Sequence, residues 1–176
     1  VARELREDLW NRFKQASSII NKKHQAYFDE LHAKENENLE KKQALIDRLK
    51  EINIDKLKGN KQWEEATEKV QAIQQEWRLI GFAPKKQNQT IYEEYRQLCD
   101  AFFKAKTAYY KGMRNEFAEN LKKKRQLVEE AESLKESTDW KETTDKLVEL
   151  QKQWKAIGPV ARKYSDDLWK MFTTAC

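Results

Sequence analysis

Apolar side chains recur along most of this chain at alternating intervals of three and four residues. One such series runs over residues 63–80, and a second series with the same rhythm runs over residues 140–157. This heptad spacing places apolar side chains on one face of a helix that packs lengthwise against its neighbours. A longer series runs over residues 91–136 without a proline or a cluster of turn residues. The pattern therefore predicts an all-α chain with two short helices and one long helix between them.

Polar and glycine residues mark the predicted ends of the short helices. Asn60 is expected to cap the first helix, and Ser137 or Thr138 the second, because their side-chain oxygens accept hydrogen bonds from free backbone amides. Gly81 and Gly158 are expected to end these helices in the left-handed conformation, which glycine adopts without strain.

The long helix is expected to begin with a capping box, formed by Thr90 and Glu93. At about 1.5 Å per residue, its roughly 46 residues would span about 70 Å, whereas a short helix of about 20 residues covers less than half of that length. Each half of the long helix must therefore complete a different bundle. The sequence predicts an elongated all-α array of tandem three-helix bundles that share long connecting helices, with spectrin-like geometry.

An internal repeat supports this architecture. The pair Trp77 and Gly81 recurs 77 residues later as Trp154 and Gly158, and the segment 37–45 recurs 82 residues later. We predict that the four tryptophans of the two short helices, at 63, 77, 140 and 154, pack in the cores. Trp10 and Trp169 lie near helix starts beside the Ile-Gly turns and are expected to pack against these turns. The repeat landmarks are Trp10, Trp63, Trp77, Gly81, Trp140, Trp154, Gly158 and Trp169.

The repeat also predicts how the chain is divided. Residues 1–32 are expected to be half of an incomplete preceding bundle, residues 33–111 the first complete three-helix bundle, and residues 112–176 a second bundle that is truncated at its C-terminus. Because residues 1–13 match residues 160–172, the chain is expected to be a fragment of a longer repeat protein. Gly112 lies in the long helix at the boundary between the two predicted bundles. We favour a hinge at this glycine over a point of close packing.

The first helical segment carries an apolar stripe for which this division provides no covering helix. The stripe is expected to be partly uncovered and to mediate self-association or docking to another protein. It contains Trp10, Phe13, Ile20 and Phe28, together with Leu9.

Three recurring motifs resemble those of the domain of unknown function 349, a bacterial family that occurs as tandem repeats. They are W-x-x-I-G-x-x-P, LW-x-x-F and NL-x-x-K. The resemblance covers nearly the whole chain and implies a bacterial origin and a tandem-repeat fold, but it brings no established activity. Clear instances of the motifs are Trp77, Ile80, Gly81 and Pro84; Leu168, Trp169 and Phe172; and Asn120, Leu121 and Lys124.

The composition adds no signature of catalysis. The two histidines, His24 and His32, are eight residues apart and belong to no metal-binding motif, and no phosphate-binding glycine loop is present. The two cysteines, Cys99 and Cys176, form no disulfide framework, which favours a reducing cytoplasm. No apolar run is long enough to span a membrane. We therefore predict a cytoplasmic protein that is not an enzyme and has no cofactor, metal or membrane partner.

Charge provides an alternative hypothesis. The chain has a net charge of +5, and residues 96–125 contain nine basic and three acidic residues. A stripe of basic side chains on the long helix could follow the phosphates of RNA or DNA. It comprises Arg96, Lys104, Lys111, Arg114, Lys122 and Arg125.

The repeat argues against that alternative, because most of these positions are not basic one period earlier. The lysine pairs that do recur, Lys41–Lys42 and Lys123–Lys124, are expected to be ordinary helix-surface residues. The hypothesis favoured by the sequence is a non-catalytic helical repeat module of unknown molecular function that acts as a scaffold or protein-interaction rod. An RNA- or DNA-binding helical rod is the alternative.

Overall fold

The computed structural model describes residues 3–176, and this part of the chain forms helices and no strand. A short 3₁₀ turn, Ile54–Lys56, lies in the connection between the first two α-helices. The prediction of an all-α fold with long helices, as in helical-bundle repeats, is confirmed. The helices are α1 (Arg3–Lys50), α2 (Asn60–Leu79), α3 (Lys85–Ser133), α4 (Trp140–Ala156) and α5 (Arg162–Ala175).

The predicted start of the long helix is wrong, because α3 begins at Lys85 and not at Thr90. Pro84 precedes the first helical residue, and its carbonyl accepts hydrogen bonds from the amides of Gln87 and Asn88 at 2.9 Å each. The fixed φ of proline suits the first turn of a helix. A start signal at Pro84 therefore takes precedence over the capping box five residues further on.

The predicted caps of the short helices are also wrong. Asn60 is the first residue of α2 and Gly59 occupies the cap position, while α4 is capped by Asp139, whose carboxylate accepts from the Glu142 amide at 3.1 Å. Ser137 and Thr138 both precede this cap position, and the Ser137 hydroxyl accepts a hydrogen bond from the Thr143 hydroxyl at 2.8 Å.

Gly81 and Gly158 do not adopt the left-handed conformation that the sequence predicts, since no residue in the described part of the chain has a positive φ. Both glycines are instead required by close packing. A Cβ atom at Gly81 would lie 2.9 Å from the Asn38 side-chain nitrogen, and one at Gly158 would lie 2.9 Å from that of Asn120. Each glycine gives an asparagine from another helix access to the backbone that follows it.

The described chain separates into two compact units, one ending at Lys104 and the other comprising Ala105–Cys176. In the first unit, the C-terminal part of α1, helix α2 and the first part of α3 share a core. Its fully buried centre contains Ile46, Val70 and Ile73. Trp63 packs against Phe102 with ring centroids 5.7 Å apart.

The second unit combines the rest of α3 with α4 and α5. Its buried cluster contains side chains from all three helices: Leu127, Val128, Ala131, Leu150, Trp154, Val160, Leu168, Phe172 and Ala175. The prediction that Trp140 packs in the core is wrong, because this side chain is 81% exposed whereas Trp63 is 3% exposed. Helix α5 ends at Ala175, and no described side chain takes the place over Trp140 that Phe102 takes over Trp63.

Gly112 lies inside α3, and a Cβ atom there would have nothing within 4 Å. Close packing therefore does not explain this glycine, and its role as a hinge stays a prediction. The boundaries expected from the repeat, at 32–33 and 111–112, also stay predictions.

Candidate functional site

Two corners with the same construction follow the short helices. In the first corner, the Asn38 amide from α1 donates to the Phe82 carbonyl at 2.9 Å. In the second, the Asn120 amide from α3 donates to the Pro159 carbonyl, also at 2.9 Å. Because each acceptor is the residue directly after the glycine, the absent glycine side chain is what lets the asparagine approach.

A lysine follows each asparagine by one helical turn; it is buried in the first corner and half-buried in the second. In the first corner, Lys42 Nζ lies over the Trp77 ring at 5.1 Å from its centroid, and Tyr95 stacks on the same indole at 4.0 Å with an interplanar angle of 8°. Burial lowers the pKa of Lys42. The side chain is 6% exposed, so the expectation of an ordinary surface lysine is wrong.

The second corner repeats this arrangement with one change of residue type. Lys124 Nζ lies 4.9 Å from the centroid of Trp154, and Phe172 takes the place of tyrosine, stacking at 4.3 Å and 12°. Burial lowers the pKa of Lys124 as well. The ammonium of each lysine is attracted by the electron-rich face of the indole, which offsets part of the cost of its desolvation.

Two further titratable groups near the first corner favour their neutral forms. Burial raises the pKa of Tyr95 to about 12 and also raises the pKa of the Cys99 thiol. A protonated thiol is a poor nucleophile, so Cys99 is suited to packing. His24 and His32 lie on α1, where both rings contact Phe28.

Metal binding and membrane spanning have no support in residues 3–176. No group of three or more histidine, cysteine, aspartate or glutamate side chains in this range is placed to hold a metal ion. No helix in the same range is long and apolar enough to cross a membrane.

The apolar stripe on α1 is exposed in the structure. Leu9 is 52% exposed and Phe13 is 62% exposed, whereas their counterparts in α5, Leu168 and Phe172, are 5% and 2% exposed. Trp10 and Phe13 stack on each other, with ring centroids 5.7 Å apart. The stripe continues along α1 through three further exposed side chains, Ile20, Tyr27 and Phe28.

The basic residues of the predicted polyanion stripe are all exposed on α3. Two of the six have partners within the chain: Arg96 pairs with Asp100 at 3.5 Å, and the Arg125 guanidinium lies 5.7 Å from the Tyr164 ring. The other four make no ion pair within residues 3–176; they are Lys104, Lys111, Arg114 and Lys122.

Sequence reasoning missed how the NL-x-x-K motif and the Ile-Gly turn belong together. The signal was present, because both motifs recur in both periods. What the sequence lacks is the pairing in space, which joins Asn38 to Gly81 and Lys42 to Trp77 across more than thirty residues of chain.

A comparison with known protein families also finds a tandem repeat in this chain. The family model described as Domain of Unknown Function (DUF349) matches the chain twice, at residues 8–86 and 90–163. The chain therefore belongs to the DUF349 family and carries two tandem matches to it. No curated protein and no solved structure matches this chain.

Proposed function

We propose that this member of the DUF349 family is a non-catalytic helical repeat module that joins other proteins in a bacterial cytoplasm. The observation that carries the proposal is the exposed apolar stripe of Trp10, Phe13, Ile20 and Phe28 on α1. A contiguous apolar face of this kind is typical of a protein-interaction surface, because covering it removes apolar area from water.

The recurring polar groups support a structural role and not a catalytic one. The side-chain amides of Asn38 and Asn120 each donate a hydrogen bond to a backbone carbonyl, and Lys42 and Lys124 lie against indole rings. These contacts fix the corners of the repeat.

Photo-crosslinking tests this proposal in cells that express the chain. A benzophenone amino acid replaces Phe13 or Ile20 in the stripe, and Lys14 or Lys22 in matched control variants on the same helix. We expect discrete protein adducts at positions 13 and 20 and weaker ones at the controls. Equal labelling at all four positions, or none, would contradict a role for this face in protein binding.

RNA or DNA binding is the second candidate function. It is supported by the exposed lysines and arginine on α3 that make no ion pair within residues 3–176, namely Lys104, Lys111, Arg114 and Lys122. Such residues can neutralise phosphates and release counterions, so the affinity would fall steeply with salt.

A salt-titrated binding assay with generic RNA and DNA tests the second candidate. The test variant reverses the charge of Lys104, Lys111 and Arg114 to glutamate. A control variant makes the same change at Lys61, Lys69 and Lys155, so both variants have equal net charge. Loss of binding only in the first variant would support polyanion binding through α3. No binding of the wild-type chain at low salt would contradict it.

A further inference from the structure

The chain contains three copies of one apolar helix face, and two of them are covered. Ile91 in α3 and Leu168 in α5 are buried against the short helices of their units, at 4% and 5% exposure. The third copy, at Leu9 in α1, is the exposed one. The covered copies define the partner of this face: a helical hairpin whose second helix ends in Trp-x-x-Ile-Gly.

The second unit contains such a hairpin, and part of its apolar surface is uncovered. Trp140 at the start of α4 is exposed, whereas its counterpart Trp63 is covered by Phe102. The residue of α1 that corresponds to Phe102 is Ile20, 82 positions earlier, and it is exposed as well. A helix that docked in the register of α1 would bring Ile20 onto Trp140.

The apolar residues that α5 buries recur in α1 at the same spacing. Leu168, Phe172 and Ala175 are buried in the second unit, and the residues 159 positions earlier are Leu9, Phe13 and Ala16. Replacing α5 by α1 therefore exchanges identical buried side chains. In the same register, α1 would add the burial of Ile20 against Trp140 to this equal exchange.

Charge adds a contact that α5 cannot make. In the first unit, Lys50 of α1 pairs with Glu94 of α3, with Nζ and Oε1 2.6 Å apart. The corresponding positions in the second unit hold Glu132 and Met171, which line the same groove and form no ion pair. In α1 the position of Glu94 is taken by Arg12, so α1 on this hairpin would form the same bridge with reversed signs.

We propose that residues 3–31 of α1 dock on the second unit of a second copy of this chain and displace its α5. Leu9, Phe13 and Ala16 take the places of the α5 side chains, Ile20 covers Trp140, and Arg12 pairs with Glu132. The contact is heterologous, because it joins two different surfaces. Two chains that exchange α1 reciprocally form a closed dimer, whereas docking in one direction forms an open chain of copies. This inference rests on the proposed protein-binding role of the stripe and names its partner.

Sedimentation velocity of the full chain, from low to high micromolar concentration, tests the association. We expect a mass that rises with concentration. Arg12→Glu alone and Glu132→Arg alone should each weaken association by about tenfold, because each places like charges opposite one another. The double variant should recover most of the affinity. Lys14→Glu is the matched control, since its counterpart Arg96 is exposed and the change should have little effect.

Two apolar variants test the register. Ile20→Ser and Trp140→Ser alter side chains that are exposed in the single chain, so the helical content measured by circular dichroism should be retained. Both should weaken association. If Ile20→Ser weakens association but Trp140→Ser and Glu132→Arg do not, two α1 stripes pair with each other, and the inference is overturned. A chain that stays monomeric yet forms adducts at position 13 would overturn this inference and leave the proposed function standing.

Discussion

Residues 3–16 and residues 162–175 are corresponding helical segments of the repeat in two different environments. Both contain a Leu-Trp pair followed three residues later by Phe, and both are α-helical. The Phe of the second segment is buried on Trp154, whereas the Phe of the first is 62% exposed. The local sequence determines the helix and its apolar face. Whether that face is covered depends on a hairpin supplied from elsewhere.

The first and largest expected difference concerns the two phenylalanines. Phe172→Ala should lower the free energy of unfolding of the second unit by about 3–5 kcal/mol, because it removes a buried ring and leaves a cavity. Phe13→Ala should change stability by less than about 0.5 kcal/mol, since the ring is exposed. Guanidinium unfolding at low protein concentration measures both values. Equal losses in the two variants would contradict the difference in burial.

The two tryptophans that begin the short helices provide an independent version of this comparison. Trp63→Ala should cost the first unit about 3–5 kcal/mol, because the ring is buried against Phe102. Trp140→Ala should have a small effect on the single chain. Acrylamide quenching of tryptophan fluorescence, compared between the wild-type chain and Trp140→Ala, checks the same point, because the difference isolates the signal of Trp140. A Trp140 that is as protected as Trp63 in the monomer would show that α4 is covered.

The corner glycines should give an intermediate effect. Gly81→Ala and Gly158→Ala each place a methyl group 2.9 Å from an asparagine nitrogen, and this overlap should cost about 1–3 kcal/mol. Adding Asn38→Ala to Gly81→Ala should relieve the overlap, so the double variant loses less than the sum of the two single changes. Gly112→Ala is the control: it has open space and should stabilise its helix by up to about 1 kcal/mol. Thermal and urea unfolding measure all five variants, Asn38→Ala alone included.

The smallest expected effect is a difference in pH dependence between the corners, since the first has Tyr95 where the second has Phe172. The raised pKa of Tyr95, about 12, means that the folded state keeps a proton that the unfolded state loses near pH 10. This contribution to stability is complete below about pH 10 and is lost as the pH rises towards 12. The lowered pKa of Lys42 acts in the opposite direction, but Lys42 is present in both the wild-type chain and Tyr95→Phe, so it does not affect their difference.

Tyr95→Phe should therefore lose less stability than the wild-type chain between pH 8 and pH 11, in proportion to the partial burial of the hydroxyl. Thermal unfolding at the two pH values measures this difference, and the exposed Tyr92→Phe serves as control. Identical pH profiles for Tyr95→Phe and the wild-type chain would contradict the assigned cause.

The heptad pattern predicted the helices well because apolar spacing reports directly on which side of a helix is buried. Helix α2 ends at Leu79, close to the last residue of its apolar series. The start of α3 was harder to predict, since two valid signals compete and Pro84 precedes the capping box at Thr90. Local sequence does not rank such signals against each other.

The candidate site could be predicted only in part, because it depends on contacts between distant segments. The stripe at Trp10 and Phe13 was identified by comparing the repeats, and its exposure follows from the packing. The exposure of Trp140 was missed because a heptad series marks a face without showing whether another helix reaches it. The burial of Lys42 was missed for a related reason: its partner Trp77 lies on another helix.

The most direct test is hydrogen–deuterium exchange of the dilute chain, resolved by mass spectrometry. It measures whether the apolar helix face that recurs in α1, α3 and α5 is protected only where a helical hairpin covers it. The matched segments are residues 5–13 in α1, 87–95 in α3 and 164–172 in α5. We expect fast exchange in the first segment and slow exchange in the other two, because only the latter two pack in a core. Raising the concentration should then protect residues 5–13 and expose residues 164–172. Equal, slow exchange of all three segments in the monomer would contradict the account.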